Sequence, residues 1–212
     1  MTTRTNDTLS ARAAFADLAF SSAAGSGVLV ADRDGLGLAT VLVHKSRITA
    51  LTERVRARFG IDLPRGPRRN ASGDVAFAGT GPEAWLAMSE EGSDSFAIAL
   101  KEAVGDVASV ADQSSGYAIL RLMGPNTREA LAKMLPLDLH PRAFAPGDVA
   151  STIASHIGAT LWRLEDGADD SPVFEIAVFR SLAGSFWHCL VSSAAEFGFA
   201  RQGTAAGGSA NS

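Results

Sequence analysis

The chain has 212 residues, with 19 lysines and arginines against 23 aspartates and glutamates, and a net charge of −4. Hydrophobic residues make up 46% and charged residues 20%, a balance that excludes an intrinsically disordered chain and predicts a core able to stand without staples. The single cysteine, Cys189, excludes an intrachain disulfide, a cysteine-rich zinc site and a redox pair. No apolar run reaches the roughly 18–20 residues of a membrane span, and Met1 to Asp7 lead into no unbroken apolar stretch. The expectation is a soluble, cytoplasmic protein without a signal peptide.

Residues 1–26 read as an N-terminal arm. Leu9 to Phe20 can form a short helix with Phe15, Leu18 and Ala19 on one face. A lone helix of that length is marginal in water, so it needs a surface to dock on, such as a partner chain. Leu36 to His44 then reads as a buried strand, β-branched at Thr40, Val41 and Val43. Ile48, Leu51, Val55 and Phe59 recur at helical spacing until Gly60. Val75 to Phe77 and Trp85 to Met88 predict a hairpin, Phe96 to Val104 a helix and Val107 to Ala111 a strand. Thr80-Gly81-Pro82-Glu83 also spells a capping box, but a turn fits better the few residues left before Glu90. The order is β-α-β-β-α-β, the split motif of ferredoxin-like folds.

The same grammar repeats. Tyr117 to Met123 alternates as a strand, and Gly124-Pro125 opens a helix to Leu135. Three short strands follow at Ser151–His156, Ala159–Leu164 and Val173–Phe179, then a helix over Leu182–Phe197. Residues 27–200 are therefore expected to form one compact α+β domain of two ferredoxin-like halves. The Gly- and Ser-rich stretch 201–212 is expected to be a flexible tail.

Chemistry-bearing motifs are sparse. Gly35-Leu36-Gly37-Leu38-Ala39-Thr40 lacks the third glycine of a dinucleotide fingerprint and precedes a strand instead of following one. His44, His140, His156 and His188 share no metal-ligand spacing, and no Gly-x-Ser-x-Gly frame surrounds any serine. His188 and Cys189 are adjacent, hence on different faces of the last helix. Asp112 closes a strand and reads as a turn-former. The outstanding feature is Arg54 to Arg69, six arginines against the single acid Asp62, net +5, which leaves −9 elsewhere. Such a segment is either a solvated face or a dock for an acidic partner, since arginine forks pair with carboxylates at interfaces. Nucleic acid is a weaker reading, because Phe59 is the segment's one aromatic residue.

Several stretches carry a resemblance: Gly79-Thr80-Gly81-Pro82-Glu83-Ala84-Trp85-Leu86, Asp112 to Ser114, and Leu122-Met123-Gly124-Pro125-Asn126. Leu137 to Phe144 and Phe179-Arg180-Ser181-Leu182-Ala183-Gly184-Ser185-Phe186-Trp187-His188 continue it. Over about Gly27 to Gly198 the chain resembles the gamma subunits of bacterial heterotetrameric sarcosine oxidase. These in turn look like the folate-binding domain of glycine-cleavage aminomethyltransferases.

The resemblance implies a non-catalytic subunit of an oxidoreductase that turns sarcosine into glycine, with formaldehyde or methylenetetrahydrofolate and hydrogen peroxide as further products. It implies alpha, beta and delta partners, chiefly alpha. FAD, FMN, NAD, tetrahydrofolate and zinc would sit in those other subunits, with no cofactor, metal or catalytic residue in this chain. Arg65, Arg68, Arg69, Arg180 and Trp187 are the candidate partner contacts, since Trp and Arg are enriched in binding hot spots. The rival readings are a free-standing folate-binding or aminomethyl-transfer module, and a nucleic-acid-binding module using Arg54–Arg69.

Overall fold

The computed structural model describes residues 13–15, 18 and 27–202. In chain order the elements are β1 (Val28–Asp32), β2 (Gly37–Val43), α1 (Ile48–Phe59), β3 (Arg69–Ser72), β4 (Val75–Gly81) and β5 (Ala84–Ser89). They continue with α2 (Ser93–Val104), β6 (Ala108–Asp112), β7 (Tyr117–Met123), α3 (Thr127–Ala132) and β8 (Val149–Ala154). The last are β9 (Ile157–Arg163), β10 (Phe174–Phe179), α4 (Ala183–Ala194) and β11 (Phe199–Arg201). Single 3-10 turns flank α4 on either side.

Strand alternation sorts the apolar side chains into three layers. Ala39, Val41, Phe77, Trp85 and Ala87 face α1 and α2 on the smaller sheet. Leu120, Leu122, Leu161, Phe174 and Ile176 face α3 and α4 on the larger one. Between the sheets lie Leu38, Ala76, Ala78, Leu86 and Met88 from one side, and Ile119, Trp162 and Ala177 from the other. The molecule is thus helix, sheet, sheet, helix. Each strand facing two apolar layers explains why runs such as Leu36 to Val43 read as buried.

The smaller sheet runs β3-β4-β5-β2-β6. Apart from the edge strand β3, this is the antiparallel strand order of a ferredoxin-like unit, as the sequence grammar requires. The larger sheet runs β11-β1-β7-β10-β9-β8. It is the same unit with two additions, β8 at one edge and β1 wedged between β11 and β7. β1 pairs antiparallel with β7 and parallel with β11. A strand from the start of the chain thereby completes the sheet built by its end.

Helix α1 spans the residues its periodicity predicts, stopped by Gly60 at φ 68°, whose N–H donates to Arg56 O at 2.9 Å. The turn reading of Pro82-Glu83 holds, because β4 and β5 pair directly across it. Helix α3 is shorter than expected, beginning after Pro125 and Asn126 and ending before Lys133. The helix considered over Leu9–Phe20 falls largely outside the described residues. Of it, Phe15 is buried in this chain's own larger core, with its ring 5.8 Å from that of Trp187. Arg201, placed at the start of the expected tail, belongs to β11, and residues 203–212 lie outside the described residues.

Two glycines of the resemblance motifs sit where backbones nearly touch. A Cβ on Gly79 would lie 2.0 Å from Gly66 O, where β4 passes the arginine-rich loop. One on Gly124, at φ 109°, would lie 2.6 Å from Gly27 O.

Candidate functional site

The most heavily charged ground lies at one end of the seam between the sheets. β10 runs through the larger sheet between β7 and β9, and its Phe174, Ile176 and Val178 face the helices. Glu175, Ala177 and Phe179 form the opposite row. Glu175 faces Arg121 on β7 and Trp162 on β9 in register, and only 3% of it is exposed.

Its carboxylate is engaged by four donors. Arg121 gives Nε at 2.9 Å and Nη2 at 2.7 Å to Oε1, and Arg33 gives Nε at 2.8 Å to the same oxygen. Trp162 Nε1 donates to Oε2 at 2.8 Å. Arg33 also pairs with Glu90 just beyond β5, tying the β1–β2 turn to both sheets. Burial works against the Arg33 charge, but Glu90 and Glu175 outweigh it and raise its pKa. Three of the four donors converge on Oε1 and one takes Oε2. Glu175 is thus committed to holding β7, β9, β10 and the β1–β2 turn together.

The Arg54–Arg69 segment does not present a continuous positive face. Arg54 pairs with Asp106, Arg56 with Asp62 and Arg68 with Asp148. Arg58 lies over the Phe59 ring, 5.4 Å from its centroid. Arg69 turns inward beside Arg121 instead of outward. Two acids from distant parts of the chain, Asp106 and Asp148, bring the net +5 of the segment down to +3.

The five candidate contact residues are not gathered at one place. Arg68 and Arg69 border one depression, whereas Arg65 borders a second groove with Glu83 and Trp85. Arg180 is half-buried between β10 and α4, and its N–H donates to Gly116 O at 2.9 Å. Trp187 is fully buried. Its ring packs against Phe15, Phe199 and the Arg201 guanidinium, so the residue chosen as a surface anchor is a core residue. The inner face of α4 needed its largest side chain for burial.

Other titratable groups are structural. Asp112 Oδ1 accepts from Ser114 N at 2.8 Å and Ser114 Oγ at 2.7 Å, the turn expected of it. His44 Nε2 lies 3.1 Å from Ser109 Oγ. Among the described residues, no group of three His, Cys, Asp or Glu side chains could hold a metal ion. No helix among them is long and apolar enough to cross a membrane.

The outward end of the β10 row is apolar. Phe179 is 50% exposed and stacks on Tyr117 with ring centroids 5.0 Å apart, the two residues facing each other in register. With the exposed Ile153 of β8 they border a shallow depression of about 390 Å³. Sequence reasoning singled out neither this patch nor Glu175. A signal for the latter existed: Glu175 interrupts Val173-Phe174-Glu175-Ile176-Ala177-Val178, a run apolar on both faces, where a charge must be paired.

Two stacked ferredoxin-like sheets with helices outside, and a charged seam locked by its own residues, define a chain of aminomethyltransferase-like fold. In fold it is similar to aminomethyltransferase T of the glycine cleavage system from Bartonella henselae (TM-score 0.55, 14% identity, covering 79% of this chain and 46% of that one). It is also similar to a chain of the heterotetrameric sarcosine oxidase from Corynebacterium sp. U-96 in complex with pyrrole 2-carboxylate (TM-score 0.70, 23% identity, 83% of this chain and 88% of that one). The model of the sarcosine oxidase, gamma subunit family matches residues 46–196. The chain belongs to that family. Among curated relatives, the sarcosine oxidase subunit gamma of Arthrobacter sp. is 34% identical over 109 residues, 50% of this chain and 54% of that protein. The subunit gamma of Corynebacterium sp. strain U-96 is 30% identical over 145 residues, 66% of this chain and 67% of that protein. The first of these alignments spans about half the relative's length.

Proposed function

We propose that this chain is a non-catalytic, cytoplasmic subunit of a heterotetrameric sarcosine oxidase, acting in the assembly and stability of the complex chiefly through the alpha subunit. Beta and delta subunits would complete the assembly, with FAD, FMN, NAD, tetrahydrofolate and zinc held outside this chain. The observation that carries the reading, beside family membership, is Glu175. The most buried acid of the seam is spent on four internal hydrogen bonds, so the cleft between the sheets is a brace and not a reaction site. The half-exposed Phe179, stacked on Tyr117 beside Ile153, supplies the kind of aromatic anchor that interfaces use.

The same observation weighs against a free-standing aminomethyl-transfer module, because the buried acid of the seam is already committed to internal bonds. Tetrahydrofolate binding to the isolated chain is expected to be no tighter than about millimolar, worth only ~4 kcal/mol.

Co-expression with the neighbouring oxidase genes tests the assembly role. The chain should purify in stoichiometric amount with the flavin-bearing subunits, and alone it should show no flavin absorbance. Phe179→Asp should weaken that co-purification while the isolated chain still folds. A fully assembled, fully active oxidase lacking this chain would overturn the proposal.

A further inference from the structure

Next to the Glu175 brace, at the bridge between Arg68 and Asp148, lies an open depression of about 600 Å³. Four guanidiniums line it, Arg68, Arg69, Arg121 and Arg163, against one carboxylate, Glu165, with Met123 and Val173 as apolar lining. Three have an acid partner: Arg68 has Asp148, Arg121 has Glu175 and Arg163 has Asp166. Arg69 has none among the described residues, and its Nε is buried without an acceptor.

The backbone holds Arg69 in place. It pairs with Ala78 on β4, and its N–H donates to Gly147 O at 2.7 Å. Burial is the largest influence on its guanidinium and lowers its pKa; Glu175 and Glu90 oppose this, while Arg121 and Arg33 add to it. Arg33 and Arg121 are ion-paired with Glu175 and Glu90, whereas Arg69 between them holds no ion pair of its own. A long side chain tolerated without purpose would carry its head into water. Here the Nε of Arg69 is buried without an acceptor while the rest of its planar fork lines the depression. Arg121 spends Nε and Nη2 on Glu175, and its side chain lines the same depression.

We propose that this depression binds a small oxyanion, a carboxylate or phosphate group, on the Arg69 fork with Arg121 beside it. Planar guanidinium forks match both groups in bidentate geometry. The volume falls within the roughly 300–1,000 Å³ of small-molecule sites. The isolated chain contains every lining residue, so the site can be tested without the other subunits.

Thermal unfolding of the isolated full-length chain tests this with inorganic phosphate, citrate and acetate, each against sodium chloride at equal ionic strength. A native-state ligand at a hundredfold excess over its Kd should raise Tm by about 5 °C or more. A response to phosphate but to neither carboxylate assigns the site to phosphate, and the reverse assigns it to carboxylates. Calorimetry should show a one-to-one complex. Arg69→Gln should abolish the shift and, without anion, melt no lower than the original chain, because an uncompensated buried charge is gone. Arg58→Gln on α1 should keep the shift. No anion exceeding chloride, or a shift that survives Arg69→Gln, overturns the proposal. So does a chain that binds no free anion but loses capture by the oxidase subunits on Arg69→Gln, since the fork would then serve a partner's acidic side chain.

Discussion

Trp162 donates its indole N–H to Glu175 Oε2 at 2.8 Å, from directly across the β9–β10 pair. On the other side of the same carboxylate, Arg121 faces it from β7 in register. The brace is thus a row of three side chains on three adjacent strands, fixed by pairing register before any side chain chooses a rotamer. A one-residue slip of β10 would put Glu175 among the apolar side chains under the helices.

Glu175→Gln should therefore be costly for an isosteric change. Arg121 and Arg33 would be left with a neutral partner, and removing one member of a buried ion pair typically costs about 3–5 kcal/mol. Trp162→Phe removes one of four donors and should cost about 1 kcal/mol on hydrogen bonding alone. Urea denaturation of the isolated chain measures both. Equal midpoints for Glu175→Gln and the original chain would show that the brace holds nothing.

Tyr117 is the protein's one tyrosine, so its ionisation is visible alone in the near-ultraviolet absorbance of the phenolate. Burial raises its phenol's pKa. The folded state thus holds the proton more tightly than the unfolded chain, whose tyrosine titrates near about 10. The stability this contributes is complete below about pH 10 and is lost as pH climbs through the folded value. Titration midpoints should be higher in buffer than in urea, and coincident midpoints would contradict the burial.

Gly79 and Gly81 offer a matched pair. A Cβ on Gly79 meets the Gly66 carbonyl at 2.0 Å, whereas the nearest atom to one on Gly81 is 3.9 Å away. Gly79→Ala should cost about 1–3 kcal/mol by pushing the arginine-rich loop off β4. Gly81→Ala should stay within about 0.5 kcal/mol. Thermal melts of the two variants decide it, and equal losses would mean that the loop yields freely.

Trp187→Ala should destabilise the isolated chain by about 3–5 kcal/mol, the range for emptying a buried aromatic site. A change confined to subunit association, with Tm intact, would return Trp187 to the surface role its sequence neighbours suggested.

Much of this architecture could be read in the chain. The α1 boundaries follow from a 3.6-residue apolar period ended by a glycine, and the β4–β5 turn from Gly81-Pro82. What escaped was long-range. Val28 to Asp32 is not read as a strand until β7 and β11 stand on either side of it, and β11 has only three residues. The ion pairs of the arginine segment were hidden for the same reason. Asp106 and Asp148, which neutralise Arg54 and Arg68, lie far from them in sequence. The Glu175 brace was legible in kind, as a charge inside an apolar run, but its partners come from β1's turn, β7 and β9.

The place of β1 sets a clock on the ribosome. Asp32 at its end pairs with Arg201 on β11, 169 residues later. At roughly 5–20 residues per second, the first strand waits on the order of ten seconds or more before its last neighbour exists. The smaller sheet can close in that interval and β7 can pair with one side of β1, but the other side of Val28-Leu29-Val30 stays an open apolar edge until β11 is made. A nascent chain of this design is most exposed to mispairing just before β11 emerges, and any factor that shields β1 acts as a timer for β11.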